Sequence, residues 1–218
     1  MKGWFITGTD TGVGKTFVTV GLLHYLNERG LQTAGMKPIA SGCERTPDGL
    51  RNDDALRILE ASVPELPYEL VNPYSFEPPI APHIAAAKAG AMIEMKTILD
   101  SFDAIRSRVD CIVVEGVGGW EVPLSEDTGM PDLAAVLGLP VILVVGIRLG
   151  CINHALLTAD AVRARGLELA GWVANRVDTA VDEEQAVIEA IMNRIGSPML
   201  GSIHHGQQVF SEAFTLQF

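Results

Sequence analysis

Nine consecutive residues, Gly8-Thr-Asp-Thr-Gly-Val-Gly-Lys-Thr16, set three glycines before a Lys-Thr pair. They follow a short apolar run, Trp4-Phe5-Ile6, and lead into a helical pattern. That is the layout of a phosphate-binding P-loop, with a strand, a glycine-rich turn and a helix N-terminus in that order. Glycines let backbone N–H groups close around phosphate oxygens without a Cβ in the way. Lys15 then brings positive charge to the β- and γ-phosphates, and Thr16 offers a hydroxyl to Mg²⁺. Gly8 and Gly14 enclose five residues, one more than the standard motif, so the loop is a variant. An unliganded strand-to-helix turn is the plain alternative, and Lys-Thr at its end argues for a nucleotide.

Other polar residues stand where apolar runs stop. Lys37 lies in Met36-Lys-Pro-Ile-Ala-Ser-Gly42, held by the proline after it. Glu115 closes the run of Ile112-Val-Val-Glu-Gly-Val-Gly-Gly119, where a P-loop enzyme places an acidic ligand for Mg²⁺. Gly116 and Gly118 after it allow close backbone approach to a ligand. Asn175 ends the apolar run within Trp172-Val-Ala-Asn-Arg176. Asp53 and Asp54 could be helix-capping acids and nothing more. Lys37 could steady charge on a transferring phosphoryl group or simply be a solvated lysine. Cys43 and Cys151 read as packing residues, since no histidine is placed beside them. His204-His205 could hold a metal, but an exposed pair is the simpler account.

The elements that must position these groups alternate. Strands are expected at Trp4–Thr7, Thr33–Lys37, Cys111–Val114, Val141–Val145, Ala170–Asn175 and Met199–Ile203. Helices are expected at Lys15–Arg29, Asn52–Glu60, His83–Ala89, Glu94–Ser107, Asn153–Arg165 and Asp182–Ile195. The strands near 111 and 141 lack polar alternation, as parallel strands covered on both faces do. The pattern implies a P-loop-like parallel sheet with helices on both faces in a single α/β domain, 1–218. Residues Pro64 to Pro82 hold six prolines and read as an irregular excursion. The tail from Gln207 forms no clear element. In such sheets ligands gather at the carboxyl ends of the strands, which brings the P-loop, Lys37, Glu115 and Asn175 to one edge.

Bulk properties fit a small-anion enzyme. The 218 residues are 48% hydrophobic with a net charge of −11, and no basic cluster speaks for nucleic acid. Three cysteines, Cys43, Cys111 and Cys151, fall in no metal-binding spacing and suit a reducing compartment. The N-terminus lacks the pattern of a signal peptide, and no apolar run is long enough for a bilayer. The expectation is a cytoplasmic protein without a membrane or nucleic-acid partner.

The motifs taken in order are specific. The nine-residue loop, Lys37-Pro-Ile-Ala-Ser-Gly42, Leu50-Arg-Asn-Asp-Asp-Ala55, Val71-Asn-Pro-Tyr74, Pro82-His83, Val114-Glu-Gly-Val-Gly-Gly-Trp120, Leu149-Gly-Cys-Ile-Asn-His154 and Gly171-Trp-Val-Ala-Asn175 together resemble the dethiobiotin synthetase family, from about residue 3 to 203. That family closes the ureido ring of dethiobiotin in biotin biosynthesis. Its substrates are 7,8-diaminononanoate, CO₂ and ATP, with Mg²⁺, and it works as a homodimer with active sites at the subunit interface.

The resemblance implies roles. Lys15 and Lys37 would meet the phosphates and the carbamate. Gly12, Val13, Gly14, Lys15, Thr16 and Phe17 would surround ATP, with Gly116 and Gly118 beside them. Thr16, Asp54 and Glu115 would serve Mg²⁺, and Asn175 would recognise adenine. Thr11 and Ser41 would lie along the diamine, and Gly150, Cys151 and Asn153 would reach the neighbouring subunit's substrate.

Two positions depart from related patterns. Partitioning-type ATPases carry a lysine early in the loop, where this chain has Asp10. The last strand leads into His204-His205-Gly206, not into the family's proline-containing adenine loop. The rival readings are a partitioning or maturation-type ATPase acting on a protein, and a non-catalytic nucleotide-binding scaffold.

Overall fold

A computed structural model describes residues 2–177 and 182–204. Its elements in chain order are β1 (Lys2–Gly8), α1 (Lys15–Asn27), β2 (Thr33–Met36), β3 (Ile39–Ser41), β4 (Glu44–Thr46), β5 (Gly49–Arg51), α2 (Asp53–Glu60), α3 (Tyr68–Val71), β6 (Tyr74–Phe76), α4 (Pro82–Lys88), α5 (Met95–Arg106), β7 (Cys111–Glu115), α6 (Met130–Leu137), β8 (Val141–Gly146), α7 (Cys151–Ala164), β9 (Leu169–Asn175), α8 (Glu184–Ile195) and β10 (Met199–Ile203). Six strands pair in the order β10-β9-β8-β1-β7-β2, all parallel. The apolar runs explain this. Every residue of β7 and β8 is buried, which only a sheet covered on both faces allows.

β1 is central. Phe5 lies opposite Val114 of β7 on one side and Val141 of β8 on the other. The chain leaves β1 through the glycine loop and returns two strands away, at β2. Strand order therefore reverses around β1, and the crevice at such a reversal is where open α/β sheets bind ligands. Among the described residues no helix is long and apolar enough to cross a membrane.

The structure departs from the sequence reading in several places. The segment between Pro64 and Pro82 is not wholly irregular. It holds α3 and β6, and β6 pairs in parallel with β3 through Ile39↔Tyr74, Ala40↔Ser75 and Ser41↔Phe76. Strands this short carry no readable alternation and exist through long-range pairing. The antiparallel β4–β5 hairpin and α6 were not expected. The helix expected at Asn153 begins at Cys151, because Gly150 (φ +93) starts it from a left-handed conformation. The tail from Gln207 and His205 lie outside the described residues.

Candidate active site

The glycine loop joins β1 to α1 at the carboxyl edge of the sheet. Gly14 caps α1 with φ +90, and no side chain caps that helix end. The first backbone N–H groups of α1 are thus left for a ligand, at the positive pole of the helix. Lys15 is buried, and its Nζ donates to Asp10 O at 3.0 Å. Burial pushes its ammonium down to about 8, and the carboxylate of Glu115 only partly opposes that. An arriving triphosphate would restore the charge.

Lys37 is the centre of a second cluster. Its Nζ lies 2.7 Å from Asp54 Oδ2 and 2.7 Å from Glu115 Oε1. Burial works against its charge, but Glu115 and Asp54 outweigh burial and raise the Lys37 ammonium above the ordinary lysine value. Asp54 in turn is held below the usual carboxylate range, where Lys37 overcomes the effect of desolvation. Thr16 Oγ1 donates to the same Glu115 oxygen at 2.9 Å. Glu115 Oε2 is buried and has no hydrogen-bond partner. A buried carboxylate oxygen without a partner is costly unless a ligand meets it. One free carboxylate oxygen, one hydroxyl and a second carboxylate are the oxygen set a hard cation takes beside phosphates, so the residues fit Mg²⁺.

A cavity of about 610 Å³ runs over these groups. Of the expected residues it gathers Thr11, Gly12, Gly14, Lys15, Thr16, Phe17, Lys37, Ser41, Asp54, Glu115 and Gly118 into its walls. Gly118 (φ +64) lies beside Thr11, since a Cβ there would stand 3.6 Å from Thr11 Oγ1. Ser41 Oγ is buried without a partner.

Other expected residues are not in the walls. Val13 packs in the core. A Cβ at Gly116 would lie 3.2 Å from the Phe5 ring, so its small size serves strand packing. Asn175 stands behind the loop, donating from Nδ2 to Val13 O at 2.8 Å. Gly150, Cys151 and Asn153 open α7 outside the cavity, with Cys151 buried. The loop before them is tied to the P-loop by an ion pair between Arg148 and Asp10. No thiol is poised as a nucleophile. All three cysteines are free and buried, and burial raises Cys43 and pushes Cys111 up to about 12.

Sequence reasoning assigned no role to several further contributors. Arg57, one turn beyond Asp54, lines the cavity, as do Pro79, Ile80, Ala81 and Pro82. Asn72 is buried beneath Lys37. Its Nδ2 donates to Lys37 O at 2.7 Å and Tyr74 O at 3.2 Å, while Oδ1 accepts from Tyr68 Oη at 2.9 Å and Ser75 Oγ at 2.6 Å. The Asn-Pro pair at 72–73 signals a turn but not which carbonyls the amide will serve.

Comparison with known proteins gives three kinds of likeness. Residues 2–213 match the family described as an AAA domain. A protein of Xanthomonas axonopodis pv. citri (strain 306), named ATP-dependent dethiobiotin synthetase BioD, is 46% identical over 216 residues, 98% of this chain and 96% of its own. Proteins of the same name from Pseudomonas paraeruginosa (strain DSM 24068 / PA7) and Aromatoleum aromaticum (strain DSM 19018 / LMG 30748 / EbN1) are 50% and 48% identical. They are matched over 93% and 94% of this chain and 90% and 91% of theirs. Among solved structures, the MinC:MinD cell division complex of Aquifex aeolicus superposes with a TM-score of 0.58 at 19% identity, covering 93% of this chain and 81% of that one. The signal recognition particle 54 kDa protein of Aeropyrum pernix K1 with GDP gives 0.53 at 13%, covering 98% and 43%. At such identities these structures speak for the fold alone.

Proposed function

The chain belongs to the ATP-dependent dethiobiotin synthetases, and from that premise we propose how its cavity performs the reaction. It is an ATP-dependent ligase of biotin biosynthesis. We assign 7,8-diaminononanoate and CO₂ as the other substrates. One amine of the diamine adds to CO₂ and loses a proton, giving a carbamate. A carbamate oxygen attacks the γ-phosphorus of ATP, and ADP leaves. The second amine attacks the carbonyl carbon of the mixed anhydride, the C–O bond breaks, and phosphate departs, able to take the proton that the amine sheds as the ring closes.

The observation that carries this reading is Lys37, a buried lysine held by two carboxylates in the wall of a cavity that also presents an uncapped helix N-terminus. Phosphoryl transfer of this kind needs positioning and charge neutralisation more than a nucleophile from the protein. Lys37 meets the carbamate and the transferring group, and Lys15 leaves Asp10 O for the β- and γ-phosphates. Thr16, Asp54 and Glu115 would hold Mg²⁺, which would supply neutralisation of phosphate charge. Thr11 and Ser41 lie along the diamine, and Asn175 meets the adenine.

The carboxylate of the diamine is received by the start of α7 from a second subunit, Gly150 to Asn153, where no side chain caps the helix. We infer a homodimer on this basis, and three unpaired cysteines support a reducing, cytoplasmic setting. The test is phosphate release from ATP with and without the diamine and bicarbonate. Release should require both. Equal release without the diamine would instead favour the switch-type ATPase.

A further inference from the structure

Asn175 ends β9 with its residue 9% exposed. Its backbone carbonyl accepts from Ile147 N at 2.7 Å, which ties the strand end to the loop after β8. Its side-chain Nδ2 donates to Val13 O at 2.8 Å, joining positions 162 residues apart. The acceptor fixes which end of the amide is nitrogen, since a carbonyl cannot donate. Val13 O belongs to the peptide that carries the Gly14 N–H. That peptide is planar, so holding its C=O on one side aims its N–H to the other. The fit is close: a Cβ on Gly14 would stand 2.1 Å from Asn175 Nδ2.

We propose that Asn175 is a positioning residue for the phosphate loop. From behind the loop it grips the Val13 carbonyl, and so turns the Gly14 N–H and the start of α1 toward the phosphates. The role is separate from contact with a base. With one Nδ2 hydrogen committed to Val13 O, Oδ1 and the second hydrogen remain for that contact, and Oδ1 is an acceptor that suits the exocyclic amine of adenine.

The inference rests on the ATP site proposed above, and a ligand without a base separates the two. Magnesium tripolyphosphate is titrated into the parent enzyme and into Asn175→Ala and Asn175→Asp, with ATP in parallel. Loss of a buried hydrogen bond should weaken tripolyphosphate about tenfold in both variants, and ATP by at least as much. Unchanged tripolyphosphate binding in the variants would overturn the positioning role while leaving the site intact. A parent that does not bind tripolyphosphate would overturn the site and the role together. Where a variant fails to fold, the parent still decides by nuclear magnetic resonance. The Asn175 side-chain amide should show one proton protected from solvent exchange, and exchange of both at the free-amide rate refutes the grip on Val13.

Discussion

Lys37 Nζ stands 2.7 Å from Glu115 Oε1, and neither side chain is more than 6% exposed. The two are electrostatically one unit. Removing one partner of a buried pair leaves the other as an uncompensated charge. Lys37→Met should therefore cost about 3–5 kcal/mol of stability in urea unfolding without ligands. Lys37→Met/Glu115→Gln should regain much of that while staying inactive. A double variant no more stable than the single would show that the pair is not coupled.

Glu115→Gln keeps the shape of the side chain and removes the charge that a hard cation prefers. Turnover should fall, and the Mg²⁺ concentration giving half-maximal rate should rise, with activity partly restored at high metal. A metal dependence identical to the parent's would reduce Glu115 to a partner of Lys37 and Thr16.

Lys15 carries a stability cost that can be read by pH. Its ordinary value is 10.5 and burial brings it to about 8. Between those values the folded protein binds fewer protons than the unfolded chain, so stability rises with pH across that window. Below pH 8 the charged lysine opposes folding. Lys15→Met should accordingly stabilise the ligand-free protein at neutral pH by up to about 3 kcal/mol, a gain that shrinks from pH 8 toward 10. The same variant should lose turnover by roughly 10²–10³-fold, as removal of a preorganised charge-stabilising group does. A destabilised variant at neutral pH would contradict the assignment.

The dimer is testable by mixing. Asn153→Ala should raise the KM for the diamine more than that for ATP. Subunits bearing Asn153→Ala and subunits bearing Lys15→Ala, once exchanged, should form some sites free of both lesions and recover activity. A monomer in sedimentation at working concentration, or no recovery after proven exchange, would refute a shared site.

Much of this was legible in the residues. Continuous apolar runs placed the buried strands, and Gly14-Lys15-Thr16 placed the loop, because both signals are local. Lys37, Asp54 and Glu115 could be gathered at one edge by the rule for parallel sheets and by family resemblance. Their mutual pairing could not, since it depends on α2 crossing above β2. The β3–β6 pair was missed because three-residue strands owe their existence to a distant partner. The β4–β5 hairpin does carry a usable local signal, the turn sequence Pro47-Asp48-Gly49. Asn175 was assigned to a base, and only the fold reveals that half its amide is turned on the loop.

Asn72 spends both amide hydrogens and its oxygen inside the protein, and its neighbour Val71 O accepts from Lys37 N at 2.8 Å. The β3–β6 edge of the cavity is thereby fastened to the backbone that carries Lys37. Outward movement of β6 would have to break these bonds and pull on the lysine. The ordering entropy of this edge is thus settled once, during folding, and not at every catalytic cycle.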